Sequence, residues 1–228
     1  MNFYKRGMIF VTFLGCCLAL GLLVGALGTP YWVLSTAERI PNTEKSDGSI
    51  HFGIFTGRKS LNVGYGTRTT EFQVEELMLL DADAFALNRV YWWGTVGGLT
   101  AGLLLATLSA ILAALNTAVT PASALPGIPG IYLCNSLAVA ANVATLAFWG
   151  VAFHKSFQYN VLTREDLENH WTTDGKAYFG FSFWLVIGAA VVHILNILIL
   201  AIGTRDRESR STVTPVVEEK TNGAIMLY

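Results

Sequence analysis

The chain reads as an all-α membrane protein, a four-helix transmembrane bundle with a small extracellular β-sheet formed by its first outer loop. Three observations predict that class. Four apolar runs, residues 8–27, 90–115, 128–153 and 179–203, are each long enough to cross a bilayer. A hydrocarbon core of about 30 Å needs roughly 20 helical residues at about 1.5 Å each. No Asp, Glu, Lys or Arg lies inside these runs, where each would cost about 2.5–3.5 kcal/mol on insertion scales. Composition agrees, with 53% hydrophobic and only 14% charged residues, whereas soluble domains average about 25% charged. The solvent partner is therefore the lipid bilayer. A net charge of −1 and the lack of a basic, aromatic-interleaved patch exclude a nucleic-acid binder.

The N-terminal tail, 1–7, carries Lys5 and Arg6 and no acid. With Ala26-Leu27-Gly28 it could pass for a secretory signal, but a run of about 20 apolar residues exceeds the usual 7–15. It reads as an uncleaved first span, 8–28. The C-terminal tail, 204–228, opens with Arg205, Arg207 and Arg210. Basic residues flanking both ends predict that both termini are cytoplasmic. Loops 29–89 and 154–177 then face outward, with 116–127 inside and spans at 90–115, 128–153 and 178–203.

The first outer loop begins at Thr29-Pro30-Tyr31-Trp32, where proline stops the helix and two aromatics sit at headgroup level. Turn formers follow at Pro41-Asn42 and Ser46-Asp47-Gly48-Ser49. Residues 50–55 read as a strand, 56–62 as a turn and 63–68 as a second strand. Residues 71–87 read as a helix leading into the second span. In the second outer loop, Thr163-Arg164-Glu165-Asp166 has the form that starts a helix. A plain continuation of the third span accounts for this loop with no special role.

Within the spans, Gly94, Gly98 and Gly102 recur every fourth residue, as do Gly21 and Gly25 with Gly28 close behind. Each set offers a smooth face to a neighbouring helix, either of the same chain or of a second copy in a homo-oligomer. Asn135 and Asn142 lie two turns apart on the third span, and His193 and Asn196 one turn apart on the fourth. Unpaired amides are costly in hydrocarbon, so these groups should face one another or backbone carbonyls. With no intramembrane carboxylate or lysine, a proton relay has nowhere to pass its proton, and structural bonding is the reading. Cys16, Cys17 and Cys134 all fall inside spans and read as small packing residues.

No catalytic, cofactor or metal site is expected. His51, His154 and His170 lack metal-site spacing, and HExxH, GxSxG and P-loop patterns are missing. An enzyme is not expected on that pattern, and a transporter is disfavoured because no broken helix carries a buried charge. The C-terminus, Ile225-Met226-Leu227-Tyr228, fits a PDZ-type groove through Met226, Leu227 and Tyr228. The rest of the tail is polar and should be disordered when free.

Several strings, taken together, resemble the clarin family of four-span proteins, which is distantly claudin-like. Ala26-Leu27-Gly28-Thr29-Pro30-Tyr31-Trp32 resembles the end of a clarin first span. Phe52-Gly53-Ile54-Phe55-Thr56-Gly57, followed by Gly64-Tyr65-Gly66-Thr67-Arg68, is similar to the outer-loop signature, which places Trp32, Gly53, Phe55, Gly57, Gly64, Gly66 and Arg68 in it. Gly127-Ile128-Pro129-Gly130-Ile131-Tyr132-Leu133-Cys134-Asn135 resembles the start of span three. Ser182-Phe183-Trp184, with His193 and Asn196, resembles span four, and the terminal Ile225-Met226-Leu227-Tyr228 resembles clarin ends. Some clarins carry a cysteine in each half of the first loop, and the matching positions here are about Arg39 and Val63. The resemblance therefore implies a loop held without a disulfide.

It also implies a non-enzymatic plasma-membrane organiser in sensory cells, linking membrane partners to the cytoskeleton or trafficking machinery. The competing reading is a claudin-like barrier-forming or channel-modulating accessory subunit.

Overall fold

The computed structural model describes residues 3–41, 47–62, 66–80, 87–119 and 126–205. Gly64, the turn residues Asn42 and Ser46, and Met226, Leu227 and Tyr228 lie outside them. Helix α1 (Phe3–Gly28) leads into strands β1 (Val33–Arg39), β2 (Gly48–Phe52), β3 (Thr56–Asn62) and β4 (Thr67–Gln73). Short helix α2 (Val74–Leu80), α3 (Arg89–Ala118) and α4 (Ile128–Ala152) follow. A π-helical turn (Phe153–Phe157), α5 (Arg164–Glu168), β5 (Trp171–Thr172), β6 (Ala177–Phe179) and α6 (Phe181–Arg205) complete the described chain. Among the described residues, four helices are long and apolar enough to cross a membrane: Phe3–Gly28, Arg89–Ala118, Ile128–Phe157 and Phe181–Thr204.

Those four helices form a ring in which α1 packs on α3 and α6, and α4 packs on the same two. Neighbours run antiparallel: Gly94 lies against Phe148 and Gly102 against Asn142, while Gly25 lies near Leu185 and Gly203 near Met8. The buried positions of α1 are Ile9, Thr12, Cys16, Ala19, Leu23 and Ala26. Their alternation of three and four residues is the seam of a left-handed bundle. The remaining faces carry exposed Leu, Ile, Val and Phe, among them Leu14, Leu104, Leu137 and Leu198, as lipid contact demands.

Above one end of the ring lies a six-stranded antiparallel sheet in the order β4-β3-β2-β1, with β5 and β6 both on the far edge of β1. Val33 pairs with Phe52 on one side and Phe179 on the other. Both loops between helices therefore build a single cap. Alternation along the strands turns Val33, Ser35, Ala37, Ile50, Phe52 and Leu61 into the core and leaves the opposite face mostly polar.

Local signals set the boundaries. Asn88 caps α3 by accepting from Val90 N at 2.8 Å. Gly127 caps α4, with Pro129 in its first turn. At the end of α1, Thr29 Oγ1 donates to Gly25 O at 2.6 Å and lies 2.7 Å from Ser182 Oγ, tying α1 to the start of α6.

The structure corrects the loop reading in four places. Residues 53–55 turn instead of extending the strand, closed by Gly53 N donating to Thr56 O at 2.8 Å. Residues 56–62, expected as a turn, are β3. The second strand of the loop reading, expected at 63–68, falls partly outside the described residues, and the observed β4 runs Thr67–Gln73. The helix expected from Glu71 starts at Val74. The second outer loop is more than a continued helix: α4 does run on as a π-helical turn, but α5, β5 and β6 follow it.

Candidate interaction cap and its polar anchor

The inward face of the cap is an aromatic weld to the bundle. Trp32 is fully buried. Its ring meets Trp149 edge-on at 5.1 Å and its Nε1 donates to Ala26 O at 2.7 Å. Phe52 meets Phe157 at 5.1 Å, and Phe179 stacks on both Phe153 at 4.0 Å and Phe183 at 4.3 Å. Such pairs contribute about 0.5–1.5 kcal/mol each beyond area burial. Trp92 Nε1 donates to Ile54 O at 2.9 Å, fixing the β2–β3 turn to α3. Phe55, in that turn, is 43% exposed with its ring edge-on to Trp92.

The signature glycines have distinct physical reasons. A Cβ at Gly53 would lie 2.6 Å from Thr29 O and 2.8 Å from Pro30 Cα, so only glycine lets the turn touch the end of α1. A Cβ at Gly57 would run into the Phe72 ring. Gly66 has φ +124°, a conformation reserved for glycine. Arg68 is exposed on β4 opposite Leu61.

A charge pair joins the two loops beneath the sheet. Lys59 shares the inward phase of Gly57 and Leu61, and its Nζ lies 2.5 Å from Asp166 Oδ2. The same oxygen accepts from Thr163 Oγ1 at 2.6 Å and Thr163 N at 3.3 Å, closing the capping box of α5. Glu38 and Lys176 form a second inter-loop pair. With no cysteine in the cap, these pairs and the shared strand β1 bind the loops together.

On the outward face, Tyr31 stacks on His51 with centroids 4.7 Å apart and on Phe181 at 5.1 Å. Arg58 donates to Glu71 at 2.5 Å across β3 and β4. Burial, then the nearby Arg58 charge, hold the His51 imidazole below its usual range. It therefore stays neutral near pH 7.

Inside the ring, one polar cluster joins all four helices. Asn135 of α4 donates through Nδ2 to Ser109 Oγ of α3 at 2.7 Å and to Ile131 O at 2.9 Å. Its Oδ1 accepts from His193 Nδ1 at 2.8 Å and Asn196 Nδ2 at 3.3 Å, both of α6. Cys16 of α1 lies 3.3 Å from Ser109 Oγ and accepts from Asn196 Nδ2 at 3.4 Å. Every member is at most 1% exposed.

Asn135, His193 and Asn196 thus meet, whereas Asn142 stands apart. It is fully buried, its amide is without a hydrogen-bond partner, and its Oδ1 lies against Gly102. The glycines also divide. Gly94, Gly98 and Gly102 press on α4, and a Cβ at Gly98 would lie 3.1 Å from Ala141 O. Among the described residues, a Cβ at Gly25 would meet only Leu185, at 3.4 Å, and one at Gly21 or Gly28 would meet nothing within 4 Å. Sequence reasoning missed Cys16 and Ser109 as cluster members and the Lys59–Asp166 pair. For the first two, the available signal is their place in the three-four alternation of buried residues.

Compared with known proteins, residues 9–200 match the family model described as Clarin-2-like. Clarin-3 of Homo sapiens is similar at 24% identity over 194 residues, covering 83% of this chain and 82% of the relative.

Proposed function

The chain belongs to the clarin family, and from that premise we propose that this multi-pass membrane protein is a non-enzymatic organiser of the plasma membrane. In this reading the cap is extracellular, both termini are cytoplasmic, and the site of action is a sensory cell. The outward face of the cap contacts membrane or extracellular partners. The tail, ending in Met226, Leu227 and Tyr228, engages a PDZ-type or other cytoskeleton-linked protein.

One observation carries the proposal: both loops close into a single sheet welded to the bundle by aromatics, leaving a mostly polar face outward. A rigid recognition surface loses little ordering entropy on binding. The polar cluster serves that rigidity by fixing helix register, at about 0.6–1.7 kcal/mol per interhelical bond.

A single substitution tests both topology and contact surface. Thr67→Asn completes a glycosylation sequon with Thr69 on exposed β4. In cells the variant should acquire a glycosidase-sensitive mass, and proximity labelling should lose cap-dependent partners. An unglycosylated product would refute the orientation. A glycosylated product with an unchanged partner set would refute the contact surface. Deleting residues 225–228 tests the tail separately, and unchanged localisation and pull-down would remove it from the account.

A further inference from the structure

A cavity of about 400 Å³ opens at the side of the cap, bounded by the end of α1, strands β2 to β4 and helix α2. That volume falls within the range of small-ligand sites, roughly 300–1,000 Å³. Its chemistry is arranged in three parts. One wall is aromatic, the Tyr31 ring held in plane between His51 and Phe181. Another carries Arg58, whose guanidinium gives one of its five N–H donors to Glu71 and is half exposed. The third is Glu76, an exposed carboxylate in the first turn of α2.

The charge balance selects the ligand. His51 is held neutral, so the cavity carries one cation and two carboxylates. A simple anion would meet Glu71 and Glu76, and a simple cation would meet Arg58. A group bearing phosphate and ammonium together satisfies both, with charge-assisted bonds at Arg58 and the Glu76 carboxylate for the ammonium. Position points the same way. Pro30 and Tyr31 line the cavity directly after the apolar helix α1, and Tyr31 rests on Phe181, the first residue of α6. The cavity therefore sits where a span gives way to the cap.

We propose that this cavity binds a zwitterionic phosphoammonium group, with Arg58 on the phosphate and Glu76 on the ammonium, beside the wall made by the stacked Tyr31. Two sources share that chemistry, the headgroup of a bilayer phospholipid and a free phosphodiester such as glycerophosphocholine.

The test uses the full chain in maltoside micelles, avoiding phosphocholine detergents. Thermal unfolding is followed with glycerophosphocholine, choline chloride or inorganic phosphate, and native mass spectra are taken from nanodiscs mixing phosphatidylcholine with phosphatidylglycerol. Glycerophosphocholine should raise the melting temperature, with choline and phosphate alone inactive. Retained phosphatidylcholine in the spectra would assign the site to the bilayer. A response to the soluble headgroup without lipid preference would assign it to the free diester.

Glu76→Gln, at an exposed position, should weaken phosphocholine binding at least about threefold, the scale of an exposed ion pair, while leaving the unliganded melting temperature unchanged. Tyr31→Leu should weaken it as well. No response to glycerophosphocholine together with no lipid preference overturns the proposal, as does a response that survives both substitutions.

Discussion

Asn135 and Asn142 offer a sharp comparison: same residue type, same helix, two turns apart, both fully buried. Replacing each by leucine, the closest apolar shape, separates bonding from burial. Asn135→Leu removes three interhelical bonds, to Ser109, His193 and Asn196. At the average of about 0.6 kcal/mol each these sum to roughly 2 kcal/mol. The substitution also leaves the buried His193 Nδ1 donor without its acceptor, which adds about 1 kcal/mol or more. The expected loss is therefore about 3 kcal/mol. Asn142→Leu breaks no bond within the protein, since neither amide atom has a partner. It removes two unsatisfied polar atoms from an apolar seam, so stability should stay within about 1 kcal/mol of the parent, on the stabilising side. Unfolding in maltoside micelles titrated with dodecyl sulfate, followed by tryptophan fluorescence, measures both. Equal losses for the two variants, or a larger loss for Asn142→Leu, would refute the assignment of Asn135 as the hub.

Further outcomes follow from the same geometry. Gly98→Ala should lower stability and surface expression because its Cβ meets Ala141 O and Thr145, whereas Gly97→Ala, with nothing within 4 Å, should be neutral or gain up to about 1 kcal/mol of helix propensity; equal effects would contradict the α3–α4 packing. Lys59→Met should destabilise the cap by about 1–3 kcal/mol by stranding the buried Asp166 carboxylate, and adding Asp166→Asn should recover part of that loss; limited proteolysis of the cap reports it. The folded His51 has a pKa below that of the unfolded chain, so its contribution is complete above about pH 6.5 and is lost as pH falls toward the folded value. Cap unfolding monitored from pH 7.5 to 5 should show this acid sensitivity, and His51→Phe, which keeps a ring against Tyr31, should flatten it.

The spans were legible because a bilayer imposes length and excludes charge, two properties read directly from residue order. Asn135, His193 and Asn196 stood out for the same reason, as polar groups in runs with few others. Cys16 and Ser109 did not, since small weakly polar residues are ordinary in spans, and only rotational phase reveals that they point inward. The sheet was misread where its inner face carries a single large apolar residue, Leu61. The inward positions of β3 are Gly57, Lys59 and Leu61, and glycine beside two basic residues mimics a turn. Glycine is there to admit the Phe72 ring, and lysine to reach Asp166 in the other loop. Both reasons are long-range and invisible in a local window. Strand β4, exposed along most of its length, shows no alternation either, and its Glu71 was drawn into the following helix.

Strand β1 follows the first helix yet gains the neighbours on its far edge from β5 and β6, just ahead of α6. During synthesis, that side of the strand keeps unanswered amides and carbonyls until residues beyond 170 have emerged. A product stopped before residue 171 would leave that border bare. A shortened chain would thus differ from this one in a strand close to its first helix.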